Sequence, residues 1–223
     1  MSGLRRALPF LIVLTCLFTQ RSAWGADRNK AGEFDYYVLV LSWMPSYCRS
    51  EGRAQKDGQC DTSKPHAFLL HGLWPQYEKG WPENCPIGKR PWVPAKLIEE
   101  MRDVMPSKNL IIHEYRVHGT CSGLEPAQYF GVARQLYERV SVPPRFFAPD
   151  ADRLASPGEI EREFLAANPW LDPDMISVTC RRANLLDIRV CFGRDLFPRS
   201  CGINEDQKRL CPAAKITVPP VTP

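Results

Sequence analysis

Cysteine placement constrains this chain more than any other feature. Nine cysteines occur in 223 residues, and the first, Cys16, lies in a segment unlike the rest. Arg5 and Arg6 precede an apolar run from Leu8 to Phe18, and Ala23-Trp24-Gly25 puts small residues at the two positions a signal peptidase reads. That run has eleven residues, well short of the roughly 20 that a spanning helix needs. Residues 1–25 therefore read as a signal peptide cleaved after Gly25, not as a membrane anchor. Thr15 stands before Cys16 where a lipoprotein site wants a smaller residue, so Cys16 leaves with the leader. The expected destination is the periplasm or the medium, with no membrane association once the leader is gone.

Eight cysteines remain: Cys48, Cys60, Cys85, Cys121, Cys180, Cys191, Cys201 and Cys211. An even count in an exported chain reads as four disulfides, and spacing alone leaves about 105 pairings open. The shortest separation is ten residues, so the close Cys-x2-Cys pairs of structural zinc sites are missing. A chain that is 44% hydrophobic and 24% charged can bury a substantial core, which excludes a disordered class. No repeat or low-complexity linker divides residues 26–223, so one domain is expected. Pro212, Pro219, Pro220 and Pro223 suggest a loose tail over 212–223.

Periodicity supplies the elements. Phe34 to Trp43 alternates like a strand, and Ala67 to Leu70 reads as a short buried strand ending on His71. Leu97, Ile98, Met101, Val104 and Met105 mark a helix opened by Pro94 and closed by Pro106. A second helix spans Pro126 to Val140, with Phe130, Ala133, Leu136, Tyr137 and Val140 on one face. Ser156-Pro157-Gly158-Glu159 has the cap and first-turn residues of a third. Met175 to Thr179 and Leu185 to Phe192 return to strand character. Without regular strand–helix alternation, the expected class is α+β, with a largely antiparallel sheet packed against several helices.

Only four histidines occur, His66, His71, His113 and His118, and three of them fall in two short segments. One is His71-Gly72-Leu73-Trp74-Pro75; the other runs from His113-Glu114-Tyr115 through Arg116 and Val117 to His118-Gly119-Thr120-Cys121. A lone histidine is usually a packing or surface residue, but clustering beside Trp, Glu and Cys suggests chemistry. On an α-helix Glu114 and His118 are i and i+4 and share a face, so the carboxylate could orient the imidazole. His113 and His118 lie about 140° apart around the axis. That geometry disagrees with the zinc hydrolase pattern, whose two ligands sit at i and i+4; His71 leaves a differently shaped zinc site open. Two histidines and a carboxylate, without metal or a nucleophilic Ser or Cys, suit RNA transesterification, in which the ribose 2′-hydroxyl is the nucleophile. One imidazole removes its proton and another protonates the leaving 5′-oxygen.

The two segments resemble the catalytic segments of the ribonuclease T2 family of exported endoribonucleases. The resemblance extends through Phe34-Asp35-Tyr36-Tyr37, Leu41-Ser42-Trp43, Pro45, Cys48 and the late cysteines, and so covers nearly all of residues 33–211. It implies cleavage of single-stranded RNA through a 2′,3′-cyclic phosphate, without a cofactor or metal. By the same resemblance His71 is the general acid and His118 the general base, while Glu114 and His113 support the phosphate and the base. Trp74 matches an aromatic near the base-binding site, where stacking contributes about 1–3 kcal/mol; a wall of the core is the competing reading. Tyr77 and Trp81 are further candidates for substrate contact. The implied disulfides are Cys48–Cys60, Cys85–Cys121, Cys180–Cys211 and Cys191–Cys201.

One departure bears on activity. The family usually has Lys immediately before the second catalytic histidine, and here that residue is Val117. Losing one such transition-state charge can cost about 2.7–4 kcal/mol, and Arg116 points about 100° away on a helix. The expectation is an active but slower enzyme, with a catalytically impaired, RNA-binding secreted relative as the alternative. Gln76 occupies a position tied to base choice in relatives, so base preference does not carry over. Single-stranded RNA is the expected partner, with no cleavage of DNA, and a monomer is expected. Net charge adds nothing here: the formal +4 falls to +1 when Arg5, Arg6 and Arg21 leave with the leader, which contains no acid. No Asn-x-Ser/Thr sequon occurs.

Overall fold

The computed structural model describes residues 29–50, 59–60, 63–147 and 150–221; the expected leader lies outside the described residues. In chain order the elements begin with β1 (Tyr36–Trp43), α1 (Met44–Ser50), β2 (Phe68–Gln76), α2 (Ala95–Met101) and α3 (Lys108–Glu114). A five-residue π turn, Tyr115–Gly119, joins α3 to the short α4 (Thr120–Ser122), and α5 (Pro126–Arg139) follows. The remainder is β3 (Arg153–Ala155), α6 (Pro157–Ala167), β4 (Ile176–Arg181), β5 (Asn184–Gly193), α7 (Gln207–Leu210) and β6 (Ile216–Val218). The sheet runs β2-β1-β5-β6-β3, with β4 also paired to β5. Its pairings are antiparallel apart from a single parallel β5–β6 contact at Asn184 and Thr217. The class is α+β, as expected.

β1 is buried along its entire length, whereas its alternation predicts one covered face. Leu39, Leu41 and Trp43 enter the main core beneath the helices, and Tyr36, Val38 and Val40 form a smaller apolar cluster with Cys191 on the opposite face. The main core is aromatic at one end, where Phe146 and Phe164 lie 5.6–5.7 Å from the Phe68 ring. α5 presents Tyr129, Phe130, Ala133 and Leu136 to it. The Tyr129 hydroxyl donates to the Leu73 carbonyl at 2.8 Å, which pins α5 to β2 within the first histidine segment. α6 starts as its sequence predicts: Ser156 Oγ accepts from the Glu159 amide while the Glu159 carboxylate accepts from the Ser156 amide.

Two local irregularities depart from the sequence reading. β2 does not stop at His71 but continues to Gln76. Its register against β1 shifts there: Val40 faces Gly72, whereas Leu41 faces Leu70. His71 is the extra residue of a β-bulge, so it joins Gly72 and Trp74 on one face while Leu70 and Leu73 both enter the core. In the second segment the helix widens into the π turn, where i+5 rather than i+4 closes the hydrogen-bonded ring. Glu114 and His118 still share a face, since both meet the Trp74 indole, but the indole stands against each of them. Gly119 is required in this turn, because a Cβ there would press on the Tyr115 ring.

All four implied disulfides are present. Cys85–Cys121 and a hydrogen bond from the Asn84 amide to the Val117 carbonyl, 2.8 Å, clamp the loop after the first segment onto the π turn.

Part of the segment expected to be a loose tail packs against the sheet instead. Ile216 and Val218 are buried, β6 pairs with β3, and the Trp43 indole donates to the Pro219 carbonyl at 3.2 Å. Apolar residues between the prolines form a short edge pairing, which proline tolerates outside the ladder. Ile216→Ala is expected to lower the unfolding free energy by about 2–5 kcal/mol in urea titration, whereas a frayed tail would leave it within about 0.5 kcal/mol.

Candidate active site

The bulge at His71 and the π turn bring the two histidine segments against one indole. Trp74 lies on β2, and the His118 ring stacks on it at a centroid distance of 5.0 Å and 26° between planes. His71 meets the same indole edge-on at 5.3 Å. The Trp74 Nε1–H donates to Glu114 Oε2 at 2.8 Å, and the other carboxyl oxygen faces His71 Nε2 at 3.5 Å. Glu114 is thus coupled to His71 and Trp74, and not to His118 as helical spacing predicts. Gly72 makes this approach possible, since a Cβ on it would collide with Glu114 Oε2.

Burial sets the protonation states. Glu114 is only 1% exposed, and desolvation pushes its carboxyl up to about 8, against the lowering effect of the Trp74 hydrogen bond. His71 is drawn below its ordinary value, first by desolvation, with Asp187 opposing and Arg189 and His113 assisting. Desolvation, then His71 and His113, draw His118 down to about 3. Its Nδ1 is buried without a hydrogen-bond partner, so nothing supports an imidazolium there. At neutral pH His118 holds a lone pair, and the Glu114–His71 pair holds a proton between two groups 3.5 Å apart.

The remaining expected residues divide. His113 is exposed at the end of α3 and, with His71, lines a cavity of about 440 Å³ together with Ser42, Tyr47, Ser107 and Leu110. Trp81 is exposed, whereas Tyr77 is half-buried against the main core. Val117 is half-buried on the π turn. Arg189 of β5 places its guanidinium 5.1 Å from the Trp74 ring centre and pairs with Glu205 at 3.1 Å.

Sequence reasoning passed over three further residues. Ser42 Oγ lies 2.9 Å from His71 Nδ1 and donates to Asp187 Oδ1 at 2.6 Å. Thr179 Oγ1 donates to the other Asp187 oxygen at 3.1 Å. The available signal was a single acid within the apolar run of β5. Among the described residues no group of three or more His, Cys, Asp or Glu is disposed to hold a metal ion.

An antiparallel α+β scaffold, cross-linked by disulfides, with two histidines and a buried glutamate around one indole, defines the class. The chain belongs to the Ribonuclease T2 family, whose family-wide match spans residues 34–201. A ribonuclease of Aeromonas hydrophila is 40% identical over 118 residues, covering 53% of this chain and 52% of that protein. The chain thus spans about half the length of this relative. Ribonuclease I of Escherichia coli is 26% identical over 87% of this chain and 88% of its own. Among solved structures, a variant of RNase MC1 in complex with 5′-UMP has the same fold, with a TM-score of 0.64 and 24% identity over 82% of this chain and 98% of its own.

Gly72→Ala is expected to expel Glu114 from the Trp74 indole and to destabilise the fold by about 1–3 kcal/mol. Thermal unfolding and the indole N–H resonance of Trp74 report the two effects.

Proposed function

We propose that the protein is an exported endoribonuclease that cleaves single-stranded RNA by transesterification. The observation that carries this reading is the different setting of its two imidazoles on the Trp74 indole: His118 stacks on the ring with a buried, unpartnered Nδ1, whereas His71 meets it edge-on with Nε2 3.5 Å from the buried Glu114 carboxyl group. In the first step His118 takes the proton of a ribose 2′-hydroxyl. The 2′-oxygen bonds to phosphorus, the bond from phosphorus to the 5′-oxygen breaks, and His71 Nε2 delivers a proton to the departing oxygen. The products are a 2′,3′-cyclic phosphate and a 5′-hydroxyl; water then opens the ring with the two histidines in reversed roles.

Glu114 supplies the proton reserve for His71, with one carboxyl oxygen toward Nε2 and the other held by the Trp74 indole. Trp74, already occupied by His118, Arg189 and Glu114, acts as the spacer between the imidazoles and not as a platform for a base. His113 and the cavity beside His71 offer room for a nucleobase, in the size range of small-ligand sites. The disulfides suit an oxidising compartment, which supports secretion or a periplasmic location.

Incubation of matched RNA and DNA strands with the protein in EDTA tests the reading. RNA is expected to be cut and DNA, which lacks the 2′-hydroxyl, to survive; intact RNA, or cleavage abolished by EDTA, contradicts it. His71→Ala and His118→Ala are each expected to lower kcat roughly 10²- to 10⁴-fold.

The pH profile follows from the two protonation requirements. Activity needs His118 neutral, so kcat/KM rises with pH through about 3. It also needs the Glu114–His71 proton, so kcat/KM falls as pH passes about 8. A plateau between these limbs is expected in steady-state assays of the free enzyme.

Val117→Lys, which puts a cation immediately before His118, is expected to raise kcat by tenfold or more. An unchanged rate would assign that charge to another residue.

A further inference from the structure

Three buried side chains behind the general acid form a directed chain of hydrogen bonds. Ser42 is 7% exposed, Thr179 3% and Asp187 4%, and Ser42 and Asp187 face each other across the β1–β5 register. Directions follow from counting protons. The Asp187 carboxylate only accepts. It receives the Ser42 hydroxyl proton at 2.6 Å and the Thr179 hydroxyl proton at 3.1 Å. Thr179 Oγ1 in turn accepts from the Asp187 backbone amide at 3.0 Å, so the carboxylate is fixed in place from its own strand and from β4. The single proton of Ser42 is committed to Asp187, which leaves its oxygen only the role of acceptor toward His71 Nδ1, 2.9 Å away.

We infer that Asp187 and Ser42 are positioning residues that hold a proton on Nδ1 of His71, so that Nε2 alone exchanges protons with the substrate. This rests on the assignment of His71 as the general acid. Nε2 is the nitrogen that faces Glu114, so the relay points the titrating atom at the proton reserve. The order is carboxylate, hydroxyl, imidazole. In a serine nucleophile site the imidazole stands between the other two, and here the buried hydroxyl has given its proton to the acid. Ser42 is therefore no nucleophile, and the cluster serves the imidazole.

The relay also has an electrostatic consequence. The groups acting on His71 are Glu114 and His113 from α3, His118 from the π turn, and Asp187 and Arg189 from β5. His113, His118 and Arg189 oppose a charge on His71, and burial opposes it further. Asp187 favours that charge from the Nδ1 side, where it does not obstruct Nε2. Removing the Asp187 charge leaves Arg189 on the same strand without that counterweight, so the cationic form of His71 weakens.

The test is nitrogen NMR of the ¹⁵N-histidine-labelled protein, together with the pH profile of RNA cleavage. Above its titration, His71 is expected to show a protonated Nδ1 and an unprotonated Nε2. Asp187→Asn is expected to lower the His71 midpoint by about one unit, the lower end of the effect of a nearby opposite charge, and Ser42→Ala, which removes the acceptor at Nδ1, to shift it in the same direction. The alkaline limb of kcat/KM moves with it, which is about a tenfold loss above that limb. Ser42→Thr, which keeps the hydroxyl, is expected to keep the tautomer and the midpoint.

A proton on Nε2 in the unaltered protein, or an unmoved midpoint in folded variants, overturns the inference. A uniform rate loss with an unchanged profile also overturns it, because that is the signature of a merely structural role. If Asp187→Asn does not fold, the tautomer in the unaltered protein and the Ser42→Ala titration decide. If no RNA is cut at all, the ribonuclease reading fails, while the tautomer still tests the relay separately.

Discussion

A buried carboxyl group over a glycine organises this site. Glu114 reaches the sheet where Gly72 leaves room, and gains a hydrogen bond from the Trp74 indole and a close imidazole in His71. Burying a carboxyl group without partners costs several kcal/mol, so both partners must stay in place. The bulge in β2 brings His71 and Trp74 to the same side as Gly72, and the π turn presents His118 to the indole that Glu114 holds.

The scaffold supports that arrangement from two directions. Tyr129 of α5 bonds the backbone of Leu73 from the core side, inside the segment that bears the bulge. From the other end, Cys85–Cys121 and the Asn84–Val117 hydrogen bond fasten the following loop to the π turn. A single disulfide of this kind typically contributes about 2–4 kcal/mol. Its position also makes it a restraint on the turn that carries His118. The Cys191–Cys201 disulfide lies in the smaller apolar cluster against which Trp74 packs, where Arg189 lies over the indole and pairs with Glu205.

The α+β class and most elements were legible in hydrophobic periodicity, since long buried strands and capped helices leave strong patterns. The two irregularities were not. A bulge and a π turn each insert a residue into an otherwise regular ladder, and no spacing rule marks the place. Helical spacing put Glu114 and His118 on one face, but could not show that Trp74 lies against both and that His71 is the imidazole nearest the carboxyl group. The proline-rich ending looked loose because Ile216 and Val218 form too short a run to register as a strand. Disulfide pairing came from family resemblance, as cysteine spacing alone cannot choose among the possibilities. Ser42 and Asp187 lie far apart in sequence and meet only through the β1–β5 register, so their partnership required the sheet. Asp187 was nevertheless visible as an acid in an apolar strand, and a buried acid needs a partner.

The central claim is that RNA supplies its own nucleophile while His118 and His71 move the protons. Identification of the new ends after limited digestion tests it most directly. Phosphorus NMR or mass spectrometry of the fragments is predicted to show 2′,3′-cyclic phosphate and 5′-hydroxyl termini early in the reaction. Fragments that carry 5′-phosphate and 3′-hydroxyl termini from the outset would contradict the account, because such ends require water, not the ribose 2′-hydroxyl, as the attacking group.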